Sequence, residues 1–252
     1  VILAMCTISG CNDGLTIVDR IDFAPDHAGQ RIYITKQSPW IAEYEIRTNR
    51  ARKLTPSLNA GEKVTRIVSI PNGRLALTVV SDLKSQIVIF DIADKLVQRI
   101  GNSVGDLLIR PGDGNEVWIR RTDNYDPGKM LLGSPYGAGV DGLLDTKSGR
   151  FQQIDDPGTE GGMLGIKAIR QGSKKLSLND KGNLIFEKDN KRTLLAEGKR
   201  LKHPYLTKDF AFAASDDPPG IVRIQLANPS NSVLVTGASI ERVLRQMEAL
   251  AP

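Results

Sequence analysis

Cysteine is almost missing: the chain has two in 252 residues, Cys6 and Cys11. Beyond residue 11 no thiol remains to form a disulfide, bind zinc or attack a substrate. Histidine is as scarce, with only His27 and His203. No run of about 18 apolar residues occurs, which excludes a bundle of membrane-spanning helices. Aromatic residues make up 5% of the chain, too few for a surface that stacks on bases, so nucleic acid is not an expected partner. There is no Gly-x-Ser-x-Gly elbow, no Walker or dinucleotide glycine pattern and no EF-hand spacing. No catalytic residue, cofactor or metal ligand set is therefore assigned.

What is present is ordinary for a globular protein: 40% hydrophobic and 25% charged residues. The net charge of +5 is small against 34 basic and 29 acidic side chains, and is weak evidence for an anionic partner. Two basic clusters stand out. Arg47, Arg50, Arg52 and Lys53 form one; Lys191, Arg192, Lys199, Arg200 and Lys202 form the other. Both lie in turn-rich polar stretches and read as solvated surface.

The first ten residues are apolar or small and precede Cys11. This length suits the apolar region of a secretory signal, not a membrane span. Ile8-Ser9-Gly10-Cys11 resembles the bacterial lipobox. The resemblance implies cleavage before Cys11 and lipid attachment to its thiol, and Asn12 then points to the outer membrane. Residues 1–10 are read as the signal remnant and 11–20 as a linker. Within the linker, Leu15-Thr-Ile-Val-Asp-Arg-Ile21 is a strand able to clasp the last repeat. The alternative is a hydrophobic N-terminal strand that happens to carry two cysteines.

Repeats organise the rest. Pro25, Pro71 and Pro111 stand 46 and 40 residues apart. Each closes an apolar stretch and is followed by a polar turn with glycine and then a second apolar run. Proline presets φ and glycine accepts φ > 0, so each stretch folds back as a hairpin. A second strand-turn-strand unit follows each one, as in Ile87–Ile92 and Val97–Ile100. Alternation of Val88, Phe90 and Ile92 with Ile89 and Asp91 has period two. Five units result, near 21–55, 64–100, 105–154, 164–196 and 202–236. A period of about 40–45 residues with four short strands is the signature of a β-propeller, whose blades bury their faces by stacking radially. The expected fold is thus all-β: a propeller over 21–237 of five four-stranded blades, six being the upper count. A β-sandwich is the other all-β option. Residues 238–252 form an amphipathic helix, N-capped by Ser239, with Ile240, Val243, Leu244, Met247 and Leu250 on one face.

Pro71-Asn-Gly-Arg-Leu-Ala-Leu77 resembles the Pro-Asp-Gly signature of TolB-type, WD40-like repeats. Thr48–Thr55 resembles the strand-turn-strand that ends such a repeat. The resemblance implies a propeller and not the function of TolB, whose additional N-terminal domain has no room here.

One insertion breaks the period. Between Ile119 and Gly142 the chain runs far longer than between the corresponding strands of the second unit. It carries Arg120, Arg121, Tyr125, Met130, Leu131 and Tyr136, residue types that suit a protein contact. The plain alternative is a hairpin extension lying on a neighbouring blade. Asp123, Asp126, Asp141, Asp155, Asp156, Asp216 and Asp217 are loop carboxylates that turn chemistry explains. They also keep open a metal-dependent lactonase-like or glycan-acting enzyme. The expected function is a lipid-anchored, periplasm-facing module that binds an envelope protein without catalysis. It is held to the membrane through Cys11, and a small-molecule ligand stays open.

Overall fold

The computed structural model describes residues 16–81, 84–104, 107–112, 114–121, 140–153, 168–197 and 200–250. These form five four-stranded antiparallel sheets, each made of four consecutive strands. Blade one is β1 (Asp22–Pro25), β2 (Arg31–Thr35), β3 (Ile41–Glu45) and β4 (Arg50–Leu54). Blade two is β5 (Lys63–Ile70), β6 (Arg74–Ser81), β7 (Lys84–Asp91) and β8 (Val97–Val104). Blade three is β9 (Leu107–Pro111), β10 (Glu116–Arg121), β11 (Val140–Asp145) and β12 (Phe151–Gln153). Blade four is β13 (Ala168–Gln171), β14 (Lys174–Leu178), β15 (Leu184–Lys188) and β16 (Lys191–Ala196). Blade five is β17 (Leu201–Leu206), β18 (Phe210–Asp216), β19 (Pro219–Gln225) and β20 (Asn228–Thr236). The chain is a five-bladed β-propeller, with the blades where the repeats place them.

The turns form for the expected reason. Asn72 and Gly73 both have positive φ, 66° and 70°, the pair that a two-residue hairpin with the right-handed twist requires. Asp189 and Asn190 do the same in blade four, at 50° and 62°. Blade two shows why such a sheet cannot stand alone. Val88 and Phe90 belong to the main core, whereas Ile87 and Ile89 join a second cluster with Val68, Ile109, Val117, Ile119 and Leu144. Both faces are apolar, so both need a neighbouring blade. Burying a side chain such as Phe90 is worth about 2–3 kcal/mol. Inner strands make the inter-blade contacts: β1 with β5, β5 with β9, and β13 with β17.

Blade five meets blade one without exchanging a strand. The rings of Phe23 and Tyr205 lie 5.5 Å apart. Arg223 stacks on Phe210 at 4.6 Å and donates to the Gly29 carbonyl at 3.0 Å. Gly29 has φ +66°, and a Cβ there would fall 2.4 Å from the Phe210 ring. A helix, α1 (Gly237–Ala249), spans this seam and touches β3, β4, β19 and β20. It buries Ile240, Val243, Leu244 and Met247. Lys53 donates to the Leu250 carbonyl at 2.6 Å.

Two expectations need correction. The segment expected to clasp the last blade is not a strand. Ile17–Asp19 is a 3-10 turn resting on β18 and β19, because β20 already supplies the outer strand of blade five. The helix is capped by Thr236, not Ser239. Thr236 ends β20 in extended geometry, and its hydroxyl accepts from the Ser239 amide at 3.2 Å. Leu250 follows the helix and is exposed.

Candidate functional site

The inner strand of every blade starts from the same end of the ring. Polar residues gather there from blades one, two and five: Asp22 on β1, Arg66 on β5, Lys202 and His203 on β17, and Asp216 at the end of β18. Asp19 of the 3-10 turn joins them. Irregular pairing makes this arrangement possible. The β5 register slips between Val64 and Arg66, and that of β17 between Lys202 and Tyr205. Such bulges bend a strand and re-aim its side chains. His203 lies inside the second bulge with φ 51°, a strained value for a non-glycine residue.

Asp22 is the most deeply set carboxylate of the group, its side chain 18% exposed. It accepts a hydrogen bond from the Ile67 amide at 2.7 Å, and Arg66 lies 3.7 Å away. Burial pushes its pKa up to about 6, although the Arg66 charge and the backbone amides pull the other way. Burial also lowers the pKa of His203, and the charges of Arg66 and Lys202 add to this against Asp19 and Asp216. The imidazole is therefore neutral at neutral pH.

Lys202 bridges two carboxylates. Its ammonium contacts Asp19 and lies 2.7 Å from Asp216. Burial opposes its charge, but these two hydrogen bonds outweigh that and raise its pKa. Asp19 is pushed up by burial, yet the bonds from Lys202 and Thr16 prevail and lower it. Thr16 donates to Asp216 at 3.1 Å and through its amide to Asp19 at 2.7 Å. The chain entering the ring is thus latched to blade five at this mouth. Beneath it, Tyr205 crosses toward blade two and donates to the Ile67 carbonyl at 2.9 Å.

Chemically, the mouth offers a carboxyl group that titrates near pH 6, a neutral imidazole and a cation held by two carboxylates. Among the described residues, no three His, Cys, Asp or Glu side chains gather to hold a metal ion. Asp216 serves as counterion to Lys202. Asp123, Asp126, Asp155 and Asp156 lie outside the described residues, and Asp141 stands on β11 in register with Arg120 of β10.

The residues expected to contact a partner are placed in part. Arg120 and Arg121 are the last two residues of β10, opposite Asp141 and Val140. Tyr125, Met130, Leu131 and Tyr136 lie outside the described residues, as does Cys11. β10 ends and β11 begins at the end of the ring that bears the mouth. His27 is exposed in the turn between β1 and β2. Sequence reasoning missed Asp22, Arg66 and Lys202. The available signal was a polar residue at the start of the inner strand in three repeats.

No family model and no curated protein matches the sequence. Several solved structures are similar to it in part. TolB from Acinetobacter baumannii is 14% identical with a TM-score of 0.46, over 83% of this chain and 52% of that one. A chain of a nidogen/laminin complex is 11% identical with a TM-score of 0.43, over 82% and 76%. The C-terminal WD40 domain of Sif2 is 10% identical with a TM-score of 0.37, over 85% and 60%. This chain therefore spans about half the length of the TolB structure. At such identities a shared architecture carries no activity with it.

Proposed function

We propose that this protein is a lipid-anchored β-propeller of the bacterial envelope, facing the periplasm from the outer membrane. It docks an envelope protein and performs no chemistry of its own. The observation that carries this reading is the placement of β10 and β11. They deliver both ends of the 120–141 segment to the face that bears the polar mouth. That segment supplies the aromatic and apolar contacts through Tyr125, Met130, Leu131 and Tyr136, while Arg120 and Arg121 frame it. The mouth supplies charges held in fixed positions by their own ion pairs. Such groups favour orientation and choice of partner over raw affinity.

The anchor sets the orientation. Thr16 is latched at the mouth, and five residues lead from it back to Cys11. Fully extended, they reach at most about 18 Å. A lipid on Cys11 keeps the docking face toward the membrane, so the partner sits in or on that membrane.

Two measurements test this reading. Cells fed a clickable fatty acid label the protein, and Cys11→Ser abolishes the label. Crosslinking in native membranes captures one specific protein, which is lost when residues 120–141 are replaced by a short Gly-Ser turn. An unlabelled mature protein, or a partner retained without the segment, refutes it.

A further inference from the structure

Blade four gathers positive charge that the sequence scatters. The turns β13–β14 and β15–β16 meet at the end of the ring opposite the mouth, and beside them lies a cleft of about 360 Å³. Arg170, Lys175, Lys188, Lys191 and Arg192 line it, opposed by the carboxylates of Glu187 and Asp189. Glu187 pairs with Arg192 at 3.0 Å and Asp189 approaches Lys188 at 3.8 Å. Among the described residues neither Arg170 nor Lys191 has an ion-pair partner. The excess of cations is concentrated within one sheet.

Register sets how these charges face one another. Arg170 stands directly across from Lys175, Lys175 across from Glu187 and Glu187 across from Arg192, while Lys174 stands across from Lys188 and Lys188 across from Lys191. Like charges directly opposed in an antiparallel pair destabilise it. The Arg170–Lys175 row carries its own carboxylate, Lys188 has Asp189, and Lys174 turns away to donate to the Lys208 carbonyl, so among the described residues the charge in the cleft left for an anion is that of Arg170 and Lys191. The cleft walls are charged and polar, with Ser173 and Asn190 in the flanking turns, so the occupant is itself charged. Arginine forks match phosphate oxygens in pairs, and lysines add point charge. The volume suits a small ligand.

We propose that this cleft binds a ligand carrying one or two phosphate groups, either a free phosphorylated compound or a phosphorylated lipid headgroup. Binding gives Arg170 and Lys191 a counterion, and a ligand that binds only the folded chain also stabilises it. The site lies far from the mouth and does not depend on the docking reading.

The test titrates the purified protein with inorganic pyrophosphate at fixed ionic strength, by calorimetry and by thermal unfolding. Wild-type protein gives saturable one-site binding and a rise in Tm. The Arg170→Gln/Lys191→Gln variant binds at least about tenfold more weakly. Because Arg170 and Lys191 are both exposed, the ligand-free variant unfolds close to the wild-type temperature, which separates lost binding from lost folding. An Arg47→Gln/Lys147→Gln variant removes the same charge from exposed turns elsewhere and binds as wild type. Equal weakening by both variants, or no saturable binding by wild type, overturns the proposal. Sedimentation with phosphatidylcholine vesicles, with and without phosphatidic acid, separates the two sources. Variant-sensitive binding to the acidic vesicles assigns a headgroup; binding of pyrophosphate alone assigns a free compound.

Discussion

Replacing Asp22 by Asn should stabilise the protein at neutral pH, against the usual expectation for a carboxylate beside an arginine. The folded-state pKa is about 6 and the ordinary value is 3.8. A raised carboxyl pKa means that the folded state holds its proton more tightly than the unfolded state. Below the unfolded value both states are protonated and Asp22 costs nothing. As pH rises from there through 6, the unfolded chain ionises more readily and stability falls. Above 6 the full cost is present, about 3 kcal/mol at one pKa unit per 1.36 kcal/mol. Asparagine keeps an oxygen to accept from the Ile67 amide and carries no charge to bury. Its loss of the Arg66 attraction is small, because Arg66 is 42% exposed. Asp22→Asn should therefore exceed wild type by about 1–3 kcal/mol near pH 8, with the difference vanishing near pH 4. In Tm this is roughly 2–4 °C per kcal/mol for a chain of this size. Guanidinium unfolding followed by fluorescence of the buried Trp40 and Trp118 measures it. A variant less stable than wild type near pH 8, or a difference that ignores pH, would refute the reasoning.

Other positions give sharper structural checks. Tyr205→Phe removes the hydroxyl that satisfies the Ile67 carbonyl and should cost about 1–3 kcal/mol, read from the same unfolding curves. Gly142→Ala should destabilise by about 1–3 kcal/mol. Its new Cβ would fall 2.3 Å from the Phe151 ring and 2.6 Å from the Gln152 carbonyl; hydrogen exchange would show the loss in β11 and β12. Leu244→Ala, buried where α1 packs at the seam, should cost about 2–5 kcal/mol. Its amide exchange should accelerate first in β3, β4 and β19, and uniform acceleration across all blades would contradict a role at the seam.

The blades were legible because their signals are local. Pro25, Pro71 and Pro111 each close an inner strand and open a turn, and turn chemistry depends only on neighbouring residues. Asn72-Gly73 could be read as a hairpin without knowing what surrounds it. The mouth was not legible. Asp22, Arg66 and His203 lie in different blades and meet only when the ring closes, and two of the strands concerned carry register slips that no periodicity announces. The cleft failed for a related reason. Lys191 and Arg192 read as a solvated run, but Arg170, Lys175 and Lys188 join them only through cross-strand register. The cap was misplaced by three residues because Ser239 and Thr236 are equivalent in composition. Only the extended backbone at the end of β20 selects Thr236.

The mouth and the ring closure are one device, and Ile67 shows why. Its amide donates to Asp22 of blade one and its carbonyl accepts from Tyr205 of blade five. β5 is the inner edge strand of its sheet, and at Ile67, across from Leu77, the amide and carbonyl point away from β6 toward other blades, as every second residue of an antiparallel edge strand does. A buried peptide group without a partner costs about 1–3 kcal/mol, so both bonds are needed at this edge position. Blades one, two and five are thereby held at a single residue, beneath the face proposed to dock a partner. The cost of burying the Asp22 charge is then intelligible. An apolar residue there would leave the Ile67 amide without an acceptor, and an exposed carboxylate could not reach it.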